Sequence, residues 1–244
     1  MMTRYSAWLN NIPMHDLDPT IYILDIQEGE PVSSISTAQY GKPYGSVVLE
    51  KRRDALSVTI SFEIHEYDPA KRKAVMQKIH AWAKRGGELA ISDRPDQVLK
   101  VELDTPPVVG SSRKWTESLD ITFTAYAFPY WMDATPQLLE GDGTLYIPGT
   151  ASIAPVDAQI VDCFEDLSIT VGDSTIELTG LKAGCTVTIS HDDDFHLQIL
   201  EDGVSALAKR TAESADDLIA TPGETVRFMA LGGTPTFAVR GVWT

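Results

Sequence analysis

Apolar and polar positions alternate most regularly at residues 56–65. Leu56, Val58, Ile60, Phe62 and Ile64 are apolar, and Ser57, Thr59, Ser61, Glu63 and His65 are polar. A period of two buries one face of a strand and wets the other, which predicts an antiparallel sheet packed on one side. Glu63 and His65 fall on the wet face and are expected to be solvated rather than catalytic. The period then changes. Val75, Met76, Ile79, Trp82 and Ala83 form an apolar stripe at helical spacing. Asp68 suits the N-cap, Pro69 the first helical position, and Gly86-Gly87 a left-handed stop. Lys71, Arg72, Lys73, Lys78, Lys84 and Arg85 are assigned to the solvated surface of this helix, or to a surface that docks an acidic neighbour. No aromatic platform accompanies these cations, which argues against a grip on nucleic acid.

Around this helix the pattern is short strands. Residues 21–26 have strand composition, and residues 33–45 are polar without a helical period, which predicts an extended loop or a projecting hairpin. Residues 88–91 and 98–103 are expected as strands. A second clean alternation places Leu119, Ile121, Phe123 and Ala125 inward and Asp120, Thr122, Thr124 and Tyr126 outward, and it runs into Phe128-Pro129-Tyr130-Trp131-Met132. Residues 133–143 turn to Gly, Pro and acidic types and are assigned as a linker. Beyond them, strands are predicted at 145–147, 158–161, 167–171, 175–178, 186–189, 196–200, 225–228 and 236–239, with glycines between. Many short strands with frequent turns indicate a β-sandwich. The fold class is therefore mainly β with one main helix (α+β), divided into domains at 1–133 and 134–244.

Charge supports that division. The chain of 244 residues carries a net −15, but residues 1–133 account for only −3 and residues 134–244 for −12. Clustered cations for phosphate are missing from the second half, so it is not expected to bind nucleic acid. No apolar run is long enough to span a membrane, and the first thirty residues lack a basic start followed by an apolar stretch. Synthesis in a cytoplasm is expected. Cys163 and Cys185 fit neither a metal-ligand spacing nor a CxxC pattern and are expected as buried free thiols, a disulfide requiring adjacent strands and an oxidising environment.

Candidate chemistry is sparse. No GxSxG, P-loop, HExxH or GxGxxG occurs. The run His191-Asp192-Asp193-Asp194-Phe195-His196 combines metal-ligand types, but it lacks the Gly-hinged calcium-loop pattern and is expected to be an ordinary acidic turn. Asp162, Glu165 and Asp166 supply carboxylates without any sign of a glycosidase pair. The expectation is no catalytic residue, no metal and no cofactor.

The order of features resembles one family. An alternating strand, a basic helix holding Ile79, Trp82 and Gly86-Gly87, a strand pair, and then residues 119–131 ending in Phe128-Pro129-Tyr130-Trp131 look like the N-terminal domain of phage distal tail proteins. The second half resembles that family's galectin-like sandwich through Leu178-Thr179-Gly180-Leu181-Lys182-Ala183-Gly184, Glu201-Asp202-Gly203, Thr221-Pro222-Gly223-Glu224 and the closing Val239-Arg240-Gly241-Val242-Trp243. One departure is the segment 188–192, where the family often closes the strand with an Ile-Asp pair. The resemblance implies a non-enzymatic virion subunit at the tip of a long non-contractile tail. It implies an N-terminal domain that forms a ring, usually of six copies, between the tail tube and the tail-tip or receptor-binding proteins, with DNA passing through. It carries no catalytic residues. The runner-up reading is a carbohydrate-binding module. That reading needs exposed aromatics, and most of Tyr146, Phe164, Phe195, Phe228, Phe237 and Trp243 fall in predicted strands, where core packing is expected.

Overall fold

The alternating segment is the inner half of an eighteen-residue strand. In the computed structural model, which describes residues 5–30, 32–38, 47–107 and 117–244, the chain divides into two compact units, Met1–Pro129 and Tyr130–Thr244. The first contains β1 (Ala7–Leu9), β2 (Ile12–Pro13), β3 (Ile21–Glu28), β4 (Val32–Ala38), β5 (Val47–Ile64), the helix α1 (Pro69–Ala83), β6 (Gly87–Ile91), β7 (Arg94–Thr105) and β8 (Glu117–Ala125). Its strands lie in the order β2-β1-β6-β7-β8-β5-β3, and β4 also pairs with β5.

Register explains the core. Val58 stands opposite Phe123, Ile60 opposite Ile121 and Phe62 opposite Leu119, so the two alternations bury their apolar sets on the same face. The polar faces match as well, with Thr59 Oγ1 and Thr122 Oγ1 3.0 Å apart. Thr124, expected outward, is buried instead, because it is flanked by Ser57 on one neighbouring strand and Glu102 on the other.

The ends of α1 follow the local chemistry. The Asp68 carboxylate accepts the Ala70 N–H at 2.8 Å. After the helix, Gly86 takes φ +60°, and a Cβ there would lie 2.5 Å from the Val101 carbonyl oxygen, so only glycine fits. Val75, Met76, Ile79, Trp82 and Ala83 are all buried. The Trp82 ring meets Phe123 edge-on at 5.8 Å, and its Nε1–H donates to the Ile12 carbonyl at 3.0 Å. One cation departs from the expected solvated face, and one exposed cation finds an acidic partner. Arg72 is buried, since it precedes Val75 and Met76 by three and four residues and so shares their side of the helix. Lys78 is tied to Asp18 at 2.9 Å. Of the polar stretch 33–45, Val32–Ala38 is a strand paired with residues 47–55 of β5, and residues 39–46 lie outside the described residues.

The second unit contains β9 (Trp131–Asp133), β10 (Gln137–Glu140), β11 (Gly143–Tyr146), β12 (Ala154–Cys163), β13 (Leu167–Val171), β14 (Ser174–Leu178), β15 (Cys185–His191), β16 (Leu197–Glu201), β17 (Val204–Ser205), β18 (Ile219–Ala220), β19 (Thr225–Leu231), β20 (Thr234–Val239) and β21 (Val242–Trp243). One sheet runs β10-β20-β12-β15-β16-β17, with β18 on β12, and the other runs β11-β19-β13-β14. Inward residues of both sheets, among them Ile160, Val187 and Phe237 from one and Ile169, Ile176 and Phe228 from the other, fill the space between them. Phe228 and Phe237 meet across it at 5.2 Å. About half of the segment assigned as a linker is strand: the end of β9, all of β10 and the start of β11 fall within 133–143, and β10 and β11 each pair with a strand from the far end of the chain. The first and last strands of the unit close on one another. β9 pairs with β21, and the Trp243 Nε1–H donates to Asp133 at 2.8 Å.

Trp82→Ala is expected to destabilise the first unit by about 3–5 kcal/mol, the usual cost of truncating a buried large aromatic. Trp82→Phe should recover most of that loss and leave the lost Ile12 hydrogen bond. Denaturant melts measure both, and a loss below about 1 kcal/mol for alanine would mean the helix packs through another face.

Candidate functional site

The cluster at 191–196 separates into two arrangements with different roles. Between β15 and β16 the Asp192 carboxylate accepts the N–H groups of Asp194 and His196, each at 2.9 Å, and closes a tight turn in which Phe195 takes φ +59°. The amide of His196, with that of Asp194, holds the Asp192 carboxyl below its ordinary pKa. Asp192, Asp194 and His196 bring ligand-type atoms within 4.8 Å of one another. The hydrogen bonds of the turn account for that approach, and Asp194 and His196 are exposed.

His191 points elsewhere. Its side chain is only 5% exposed, with Nδ1 3.0 Å from Asp157 and Nε2 2.7 Å from Asp217. Carboxylates only accept, so both ring nitrogens must donate, which requires the imidazolium. Burial disfavours that charge, but the hydrogen bonds to Asp157 and Asp217 outweigh it and raise the pKa to about 9. The clasp joins β12, β15 and the segment before β18. With neither nitrogen holding a free lone pair, His191 is a staple rather than a base.

The remaining sequence candidates lie apart. Asp162, Glu165 and Asp166 are exposed around the turn from β12 to β13. Cys163 stands opposite Cys185 across β12 and β15, and both are free and buried. Burial pushes the Cys163 thiol up to about 11 and raises that of Cys185, so neither supplies a thiolate nucleophile at neutral pH.

The first unit carries a strand that is only half covered among the described residues. β8 pairs with β5 only from Leu56 to Ile64, and β3 covers the same half from the other side. From Val47 to Ala55, β5 is paired with β4 alone among the described residues. Two register shifts mark this ribbon, and bulges of that kind bend and twist a strand pair. A ribbon of two strands is marginally stable by itself in water.

No family model matches this sequence, and no curated protein does. Solved structures do. SPP1 Dit (gp 19.1), described as a paradigm of the hub adsorption apparatus in phages infecting Gram-positive bacteria, aligns with a TM-score of 0.73 at 8% identity, over 98% of this chain and 99% of that one. The chain has the fold of a phage distal tail protein. A chain of the phage P2 baseplate in its activated conformation with Ca aligns with a TM-score of 0.55 at 10% identity, over 99% and 98% of the two chains. The distal tail fold thus spans both units, at identities too low for pairwise sequence comparison to reveal it.

The clasp makes a prediction with a definite sign. A histidine whose folded pKa lies above its ordinary value stabilises fully below about pH 6.5 and loses that contribution as pH rises through about 9. His191→Gln should therefore cost about 1.5–3 kcal/mol at pH 6, the range for hydrogen bonds to charged groups, and clearly less at pH 10. Chemical denaturation across that range checks it, and a gap that does not change with pH would mean that His191 is neutral.

Proposed function

We propose that this protein is a non-enzymatic structural subunit of a phage tail, a hub at the tail tip. The observation that carries the reading is the full-length match of both units to a phage hub protein, covering 98% of this chain and 99% of that one. In this reading six copies close into a ring through the N-terminal unit. The ring joins the tail tube to the tail-tip or receptor-binding proteins, DNA passes through its centre, and the assembled protein resides in the virion. The half-paired strand β5 supports the ring, because a ribbon lacking sheet neighbours gains stability when another copy supplies them.

Removal of the ribbon tests this. Replacing residues 34–53 by a short Gly-Ser turn should leave a folded protein with its α1–sheet core intact by circular dichroism. Light scattering should then report monomer where the unmodified chain gives a closed oligomer. An unmodified chain that stays monomeric, alone and with its tail-tube neighbour, would contradict the hub reading. A ring that survives the deletion would contradict the role of the ribbon.

A further inference from the structure

The outer face of the β11-β19-β13-β14 sheet ends in a feature that lies in the second unit, whereas the strand β5 belongs to the first. Beside the turns that follow β12 and β19 lies an open depression of about 420 Å3, lined by Phe164, Asp166, Ser168, Glu177, Thr179 and Leu231 among others. Phe164 is 68% exposed and Leu231 59%. The ring is held there by a rigid base. The Phe164 N–H donates to the Gly232 carbonyl at 2.7 Å, and a Cβ on Gly232 would lie 2.4 Å from the Asp166 carbonyl oxygen, so two turns are packed backbone to backbone beneath it. Register places Leu231, Ser168 and Glu177 in one row across three neighbouring strands. The depression therefore offers, in order, an exposed aromatic face, an apolar edge, hydroxyls and carboxylates.

We infer that this depression is a binding subsite for a neutral saccharide. A pyranose presents an apolar C–H face that stacks on an aromatic ring and a rim of hydroxyls that donate to carboxylates and exchange hydrogen bonds with Ser and Thr. The size fits, since small-molecule sites run from about 300 to 1,000 Å3. A protein partner needs about 800 Å2 on each side, far more than Phe164 and Leu231 provide. Charge selects among sugars. Residues 134–244 carry a net −12, and no cation lines the depression, so anionic glycans are repelled. Of the aromatics in strands expected to pack in the core, Phe228 and Phe237 do and Tyr146 does not, whereas Phe164 lies outside the predicted strands and is exposed. The inference is independent of ring assembly.

Saturation-transfer NMR on the full chain, with cellotriose, maltotriose and the trimer of N-acetylglucosamine as separate probes, tests it. At least one trimer should receive saturation. Phe164→Ala and Glu177→Gln should each weaken that trimer's binding by roughly fivefold to tenfold, the worth of one stacking contact or one hydrogen bond. Both side chains are exposed, so melting temperatures should stay unchanged, and the glutamine variant reads the site even if the alanine variant folds poorly. No transfer from any of the three overturns the proposal, as does binding that both variants leave unaltered.

Discussion

Strand pairing is a matter of length, and β5 is twice as long as the strand that should cover it. Eighteen residues extend about 60 Å, and the nine of β8 reach only half that distance. The inner half of β5 is therefore a core strand with partners on both sides, and the outer half is, among the described residues, a ribbon with one. Everything in the first unit hangs on the inner half. Its apolar residues set the register with β8, that register presents Phe123, and Phe123 gives Trp82 the ring against which α1 docks. The outer half has β4 as its one partner among the described residues, which is the feature the proposed assembly would use.

In the second unit the scarce quantity is positive charge. With 5 Lys and Arg against 17 Asp and Glu after residue 133, each cation has a large choice of partners. Several sit where chain segments meet. His191 joins β12 to the segment before β18. Lys209 pairs with Glu201 at 2.6 Å, and Glu201 also accepts the backbone N–H of Lys182. Those hydrogen bonds, that of Lys209 first, hold the Glu201 carboxyl below its ordinary pKa. Arg210 reaches the carbonyls of Ala215 and Asp216. A sandwich this acidic repels itself, and placing its few cations at junctions offsets part of that repulsion.

The sequence reveals most of what depends on neighbours within a few residues. The two alternations are strands at the expected places, and the ends of α1 follow from Asp68, Pro69 and Gly86, each acting through its own backbone. The mainly β fold with one helix is legible on this basis, as are the eight principal strands of the second half. Strands of two to four residues, such as β9, β17, β18 and β21, are too short to carry a period. Features that need a distant partner are hidden as well. Asp157 and Asp217 lie 34 and 26 residues from His191, and nothing local to His191-Asp192 signals that the histidine turns inward while the aspartate caps a turn. Phe164 is hidden for a related reason. It sits one residue beyond β12, where pattern alone does not tell the last inward residue from the first exposed one.

The proposed ring would pass DNA, and its lumen supplies the most direct measurement. Cations lining the channel would hold phosphate, since each neutralised phosphate releases counterions and adds affinity. A cryo-electron-microscopy map of the assembled ring should show six copies around an opening lined by neutral or acidic side chains. Lys71, Lys78 and Arg85 of the α1 region should lie on the outer wall or against an acidic neighbour. Those three side chains pointing into the opening, or particles with no closed ring, would contradict the account.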